Sequence, residues 1–329
     1  MKLGVEAMNT PGIGRARRFA LAVAVLAMLD AAPVLAAEKV YDPPVGSRWT
    51  VETETHSEEI RPDGTATSLI KARAELTIEQ KAPDGFRISY VHRDATVEGN
   101  ARSVPLRRAY LKALENVVIR ARTDASGKPL HIDNLDEAKA SVRGVSDQLA
   151  AEFDQRPAAR ALFDQLVTEL LEVDADGAPA VYIDALATLA VAQNTGMKPG
   201  EFRQATKPAE NPLGGDALKS NERFELTNAD AAASRLKFVN VTSIDPAAMS
   251  DFMQSFARGL LAASGDSVTP ELVNRLVGSM VFSFDKRAEF EVEDGMTRRV
   301  AEKSTTVFRG MEQNLTQTDV QTITVTPMR

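Results

Sequence analysis

The sequence predicts an α+β protein: a curved antiparallel sheet, half-barrel-like, with inserted helices packed on or across its concave face. Three observations carry this. Several long runs alternate apolar and polar residues at period two, as half-buried strands do. Short Pro/Asp/Gly turns join consecutive runs, and strands joined that tightly must be antiparallel. Two clusters of apolar residues at helical spacing interrupt the strands.

The chain opens on a different kind of segment. Arg15, Arg17 and Arg18 precede an apolar run over residues 19–29, and Val34, Leu35 and Ala36 follow. A basic start, an apolar middle and small residues at the end are the layout of a secretory signal peptide, cleaved here after Ala36. Asp30 and Pro33 interrupt the run, which disfavours a retained membrane anchor. The expected mature chain, residues 37–329, is therefore periplasmic or secreted and not membrane-spanning.

Ile70, Ala72, Ala74, Leu76 and Ile78 alternate with Lys71, Arg73, Glu75, Thr77 and Glu79, giving one greasy face and one charged face. Phe86, Ile88 and Tyr90 continue the pattern after a turn. Phe282, Phe284, Ala288, Phe290 and Val292 repeat it, with Lys286 the exception in that row. The turns are Pro62-Asp63-Gly64, Pro83-Asp84-Gly85, Ser126-Gly127 and Asp294-Gly295, where glycine supplies the positive φ that tight hairpins need. A parallel Rossmann-type sheet is disfavoured.

The first helical cluster begins near Asp133 with Leu135, Val142, Val145, Leu149 and Phe153 on one face. A second helix follows Pro157 and a third follows Pro179, since proline suits the first turn. The second cluster starts at Asp245-Pro246, read as cap and first helical residue, and carries Met249, Phe252, Met253, Phe256 and Leu260. Thr269-Pro270 restarts a helix, so this is an αα-hairpin between strands. Residues 196–220, rich in Pro and Gly, read as a long loop, either lid or linker.

Glu75-Leu76-Thr77 before Phe86 and Glu225-Leu226-Thr227 before Phe238 form a weak internal echo. Residues 37–329 read as one domain. The echo leaves open two duplicated halves, about 45–195 and 200–329, or a chance match of generic strand patterns.

Composition excludes several functions. The formal net charge is −7 and no basic run follows residue 36, so nucleic-acid binding is not expected. There is no cysteine, hence no disulfide and no thiolate metal site. His56, His92 and His131 stand alone, without metal-ligand spacing, and no metal or cofactor is expected. No G-x-S-x-G elbow occurs. A hydrolase built from distant residues is the least favoured class, and the reading leans to a non-enzymatic protein. Asp174, Asp176 and Gly177 fail as a calcium loop, because Ile183 stands at the bidentate position.

The apolar strand residues are the useful signal. Trp49, Phe86, Tyr90, Phe238, Phe282, Phe284 and Phe290 lie on predicted strands, most of them on the sheet's concave face, and Met253 lies on a helix expected to cover it. They either fill a core between sheet and helices or line a cavity for an apolar ligand.

Val45-Gly46-Ser47-Arg48-Trp49 opens the mature domain with a Gly-x-x-Trp pattern common in exported bacterial proteins. With long antiparallel strands and inserted helices, the chain resembles the LolA-type half-barrel periplasmic carriers. The resemblance is architectural, covers most of the mature chain and transfers no site residue. It implies lipid carriage in a curved, incomplete barrel whose mouth is closed by helices. The expected function is binding of an apolar or lipid-like ligand in the cell envelope. The alternative is an interaction module with a filled core that docks an envelope protein.

Overall fold

A computed structural model describes residues 39–209, 217–230, 234–264, 268–310 and 313–328. The expected signal peptide and cleavage site lie outside the described residues. The chain forms one curved, unclosed antiparallel sheet of eleven strands with seven α-helices among the described residues. No described helix is long and apolar enough to cross a membrane.

The first meander is β1 (Arg48–Arg61), β2 (Gly64–Ala82) and β3 (Gly85–Gly99), then helix α1 (Val104–Leu114), β4 (Val118–Asp124) and β5 (Pro129–Ile132). Helices α2 (Leu135–Ala150), α3 (Pro157–Glu172), α4 (Ala178–Tyr182) and α5 (Asp184–Ala190) then carry the chain to the far edge. The return meander is β6 (Phe202–Ala209), β7 (Leu218–Asp230) and β8 (Arg235–Ile244). Helices α6 (Pro246–Ser264) and α7 (Pro270–Gly278) follow, then β9 (Val281–Glu293), β10 (Met296–Gly310) and β11 (Gln313–Pro327). The strand order is β5-β4-β3-β2-β1-β11-β10-β9-β8-β7-β6. First and last strands therefore pair at the centre, from Trp49 opposite Pro327 to Ile60 opposite Thr316.

The alternation predicted from sequence sets the faces. Ala74, Leu76 and Ile78 are buried on the inner face, while Lys71 and Arg73 point outward and pair with Glu54 and Asp94. Arg235–Glu293 and Lys237–Glu291 form similar exposed pairs on the far side, at 3.1 and 3.4 Å. Such pairs add little stability but keep the outer face wet. The Asp294-Gly295 turn has φ of 53° and 78°, both left-handed as the two-residue hairpin between β9 and β10 requires.

Asp245 caps α6, its Oδ1 accepting from the backbone N–H of Ala247 and Ala248 at 3.1 and 3.0 Å. Thr269 caps α7 by accepting from the Leu272 N–H at 3.3 Å. The Asp174–Gly177 segment is a helix-to-helix turn, with the Gly177 N–H bonded to Asp174 Oδ1.

Two expectations need correction. Residues 202–209, read as loop, form edge strand β6; its alternation of Arg203, Gln204, Ala205, Thr206 and Lys207 has no greasy face to reveal it. The helix expected after Pro179 is two short ones, α4 and α5, broken at Ile183. Helix α1 was not expected, although Leu106, Ala109 and Ala113 sit at helical spacing after Pro105. His56 and His92 stand apart, as read from sequence: His56 lies opposite Leu69 on the outer face, and His92 lies opposite Ala74 on the inner one.

Candidate functional site

The inner face has three zones. The first is the main core, under α1, α2, α4 and α5. Trp49, Val51, Leu76, Phe86 and Tyr90 from one half of the sheet meet Phe238, Phe290, Val300 and Ile323 from the other. Phe238 stacks on Phe224 with ring centroids 5.2 Å apart. Tyr41 meets Phe86 edge-on at 5.4 Å.

Buried polar bonds tie this zone shut. Thr297 Oγ1 donates to the Leu189 carbonyl at 2.7 Å, and its N–H donates to Gln193 Oε1 at 3.2 Å. Gln193 Nε2 reaches the Ser126 carbonyl at 2.7 Å. The end of α5 thus bridges β10 to the β4–β5 turn. A cavity of about 20 Å³ beside it, lined by Tyr41, Leu76 and Thr297 among others, has room for one water.

His92 clasps the helices to the sheet, its Nε2 donating to the Tyr182 carbonyl at 2.8 Å. Tyr182 in turn donates its hydroxyl to the Leu170 carbonyl at 2.9 Å. Burial pushes the His92 pKa below its ordinary value, against the Tyr182 bond and nearby Asp184, which pull it up. A depressed folded pKa means the unfolded chain takes up the proton first. Stability from this group is full above the unfolded pKa of about 6.5 and declines as pH falls through the window below it, by at most about 1.4 kcal/mol per pH unit. Urea unfolding at pH 7.5 and 5.5 should show a larger loss for the wild type than for His92→Gln. Parallel losses would mean that other groups set the acid sensitivity.

The second zone is the opposite end of the inner face, under α6 and α7. Met253, Ala257, Val273, Met280 and Phe308 are buried there, while Phe252, Phe256, Phe282 and Leu315 are only half covered. Phe252 stacks on Phe256 at 6.0 Å and lies 6.4 Å from Phe282.

The third zone is a polar belt between them. The inner row of β9 runs Phe282, Phe284, Lys286, Ala288, Phe290, so the lysine separates the two apolar ends. Lys286 Nζ lies 2.7 Å from Glu302 Oε1 on β10. Glu222 on β7 pairs with Lys207 on β6 and accepts from Asn240 Nδ2 on β8 at 2.7 Å. Burial pushes the Glu222 carboxyl up, but Lys207, Asn240 and Lys286 outweigh it and hold its pKa below the usual range. Ser304, Asp319 and Thr55 extend the belt across β10, β11 and β1, all partly exposed.

The eight residues singled out from sequence divide between the apolar ends. Trp49, Phe86, Tyr90, Phe238 and Phe290 sit together in the main core, none more than 6% exposed. Met253 is buried in the second cluster with Phe282 half-buried against it. Phe284 is half-buried where that cluster meets the belt. Sequence reasoning passed over the belt itself; its one signal was Lys286 breaking the apolar row.

No family model and no curated protein matches this chain. Solved structures that overlap with it include the following two. A lipovitellin structure concerned with lipid–protein interactions aligns at TM-score 0.42 and 6% identity over 86% of this chain. The chain spans only 25% of that lipovitellin chain. An outer membrane channel from Pseudomonas putida F1 aligns at TM-score 0.17 and 10% identity, covering 90% of this chain and 100% of the channel. What the structure shows is an open, curved antiparallel sheet with inserted helices. Function is therefore read from the inner face itself.

Proposed function

We propose that this protein is a non-enzymatic carrier that holds an apolar, lipid-like ligand on the inner face of its sheet, in the cell envelope. One observation carries the reading. The main core is filled, but under α6 and α7 the aromatic residues Phe252, Phe256 and Phe282 keep part of their surface uncovered. Half-covered aromatic surface next to convergent polar groups is the usual composition of a ligand site. Covering that surface with a ligand removes it from water at roughly 25 cal/mol per Å², before the costs of binding. Export to the envelope, read from the signal-peptide-like layout of residues 15–36, belongs to the same proposal.

Native mass spectrometry of protein purified from its host tests this directly. A mass above that of the polypeptide, with lipid recovered in an organic extract, is expected. Bare polypeptide with nothing extractable, combined with no uptake of a fluorescent fatty acid by the purified protein, would end the carrier reading.

A second reading has its own observation. β6 pairs with β7 on one side only, and its residues are exposed along nearly the whole strand. An open edge can recruit a strand from another protein through backbone hydrogen bonds. Lys207 and Pro208 within β6 oppose this, since charge and proline are standard protection for an edge. The ligand reading is therefore preferred, and site-specific crosslinking from β6 that trapped one defined envelope protein would reverse the order.

A further inference from the structure

The entry to edge strand β6 repeats the entry to central strand β1, bond for bond. Before β1, the Ser47 N–H donates to the Pro44 carbonyl at 3.1 Å and the Gly46 N–H to the Ile78 carbonyl at 2.8 Å; the Ile78 N–H returns to the Ser47 carbonyl at 3.1 Å. Before β6, the Glu201 N–H donates to the Lys198 carbonyl at 2.9 Å and the Gly200 N–H to the Leu226 carbonyl at 2.8 Å; the Leu226 N–H returns to the Glu201 carbonyl at 3.1 Å. Gly46 and Gly200 have φ of 82° and 81°. Each strand then pairs with the next one of its meander, β2 or β7. The other side of β1 is taken by β11, whereas among the described residues nothing takes the other side of β6.

The alternation of an antiparallel ladder fixes what that free side offers. Glu201 bonds to β7, so Phe202, Gln204, Thr206 and Pro208 turn their backbone groups away from it. Pro208 has no N–H to give, and Arg203 and Lys207 repel a second basic strand. One symmetric pairing avoids both obstacles. With a second β6 antiparallel and Gln204 opposite its own copy, Phe202 faces Thr206, Arg203 faces Ala205 and Lys207 faces Glu201. Every N–H turned toward the partner then meets a carbonyl, and Pro208 falls past the ladder, opposite Gly200. The neighbouring registers fail. Centring on Arg203 sets that residue against itself, and centring on Ala205 sets Arg203 against Lys207 and brings Pro208 into the ladder. The favoured register also covers Phe202, which is 50% exposed with the Arg223 guanidinium over its ring at 4.1 Å.

We propose that this edge docks a second copy of the same chain, β6 on β6 about a two-fold axis at Gln204. The partner is a copy because β6 complements itself in charge, Lys207 against Glu201 at both ends of the pairing. Opposite residues share a face, so two copies join into one continuous sheet with both inner faces on the same side. The pairing stands apart from the carrier reading and does not depend on it.

Sedimentation equilibrium of the purified protein, with oxidative crosslinking, tests this. The chain has no cysteine, so one introduced thiol reports the register. Residues opposite in a hydrogen-bonded pair lie about 5.5 Å apart at Cα, within disulfide reach. Gln204→Cys should crosslink to a dimer and Thr206→Cys should not. Glu201→Lys and Lys207→Glu, each alone, set like charges opposite at both ends and should weaken the dimer on the order of tenfold. Mixing the two variants sets opposite charges at both ends again and should restore it. A monomer at every concentration, a mixture no tighter than either variant alone, or a dimer in which Gln204→Cys crosslinks no better than Thr206→Cys would overturn the pairing.

Discussion

Phe238→Ala should destabilise the protein by about 3–5 kcal/mol, the range for deleting a fully buried aromatic side chain. Phe238 is 0% exposed, stacked on Phe224 and placed opposite both Leu226 and Phe290 in the sheet. The strands around it are paired on both sides, so the backbone has little freedom to close the hole. Phe284→Ala is the control. That residue is half-buried at the edge of the belt, and its truncation should cost well under half as much. Urea unfolding of both variants, with slopes compared to the wild type, measures the contrast. If the two costs were alike and small, Phe238 would be lining an accommodating pocket rather than a packed core.

Gly85→Ala should be nearly as damaging, at the upper end of the roughly 1–3 kcal/mol typical of overpacking. A Cβ on Gly85 would stand 1.9 Å from the Thr123 carbonyl oxygen and 2.7 Å from the Asp124 carbonyl carbon. Both are backbone atoms of β4, so no side chain can swing aside. β3 must move away from β4, weakening the pairing that runs from Gly85 opposite Asp124 to Val91 opposite Val118. Gly64→Ala, in the preceding hairpin, meets nothing within 4 Å and tests the steric part of the argument. Thermal unfolding that ranked the two variants equally would show that backbone conformation, not contact with β4, sets the cost.

Much of the architecture was legible because it is written in local chemistry. Asp294-Gly295 and Pro83-Asp84-Gly85 specify hairpins by backbone conformation alone, so neighbours along the chain become neighbours in the sheet. The row from Ile70 to Ile78 fixes which face turns inward, since a slip of one residue would bury its lysine and glutamates. Asp245 and Thr269 announce their helices by the hydrogen bonds they make. β6 escaped notice because an exposed edge strand needs no apolar face. The site was legible only in part. Its aromatic residues could be listed, but Phe238 and Phe282 occupy the same kind of position in an alternating strand, and one is sealed while the other is half open.

The sequence by itself determined the fold class, the antiparallel order within each meander and the inward-facing rows, because period-two patterning and turn residues act over a few residues. Only the tertiary structure decided that β1 closes onto β11, and that α1, α2, α4 and α5 seal one end of the inner face while α6 and α7 leave aromatics half covered at the other. Alternation says which side of a strand is greasy; it does not say what covers it. That choice rests on contacts between residues well separated in sequence, such as Thr297 with Leu189 and His92 with Tyr182, and it is what left Lys286, Glu222, Glu302 and Asn240 as a polar belt between two apolar ends.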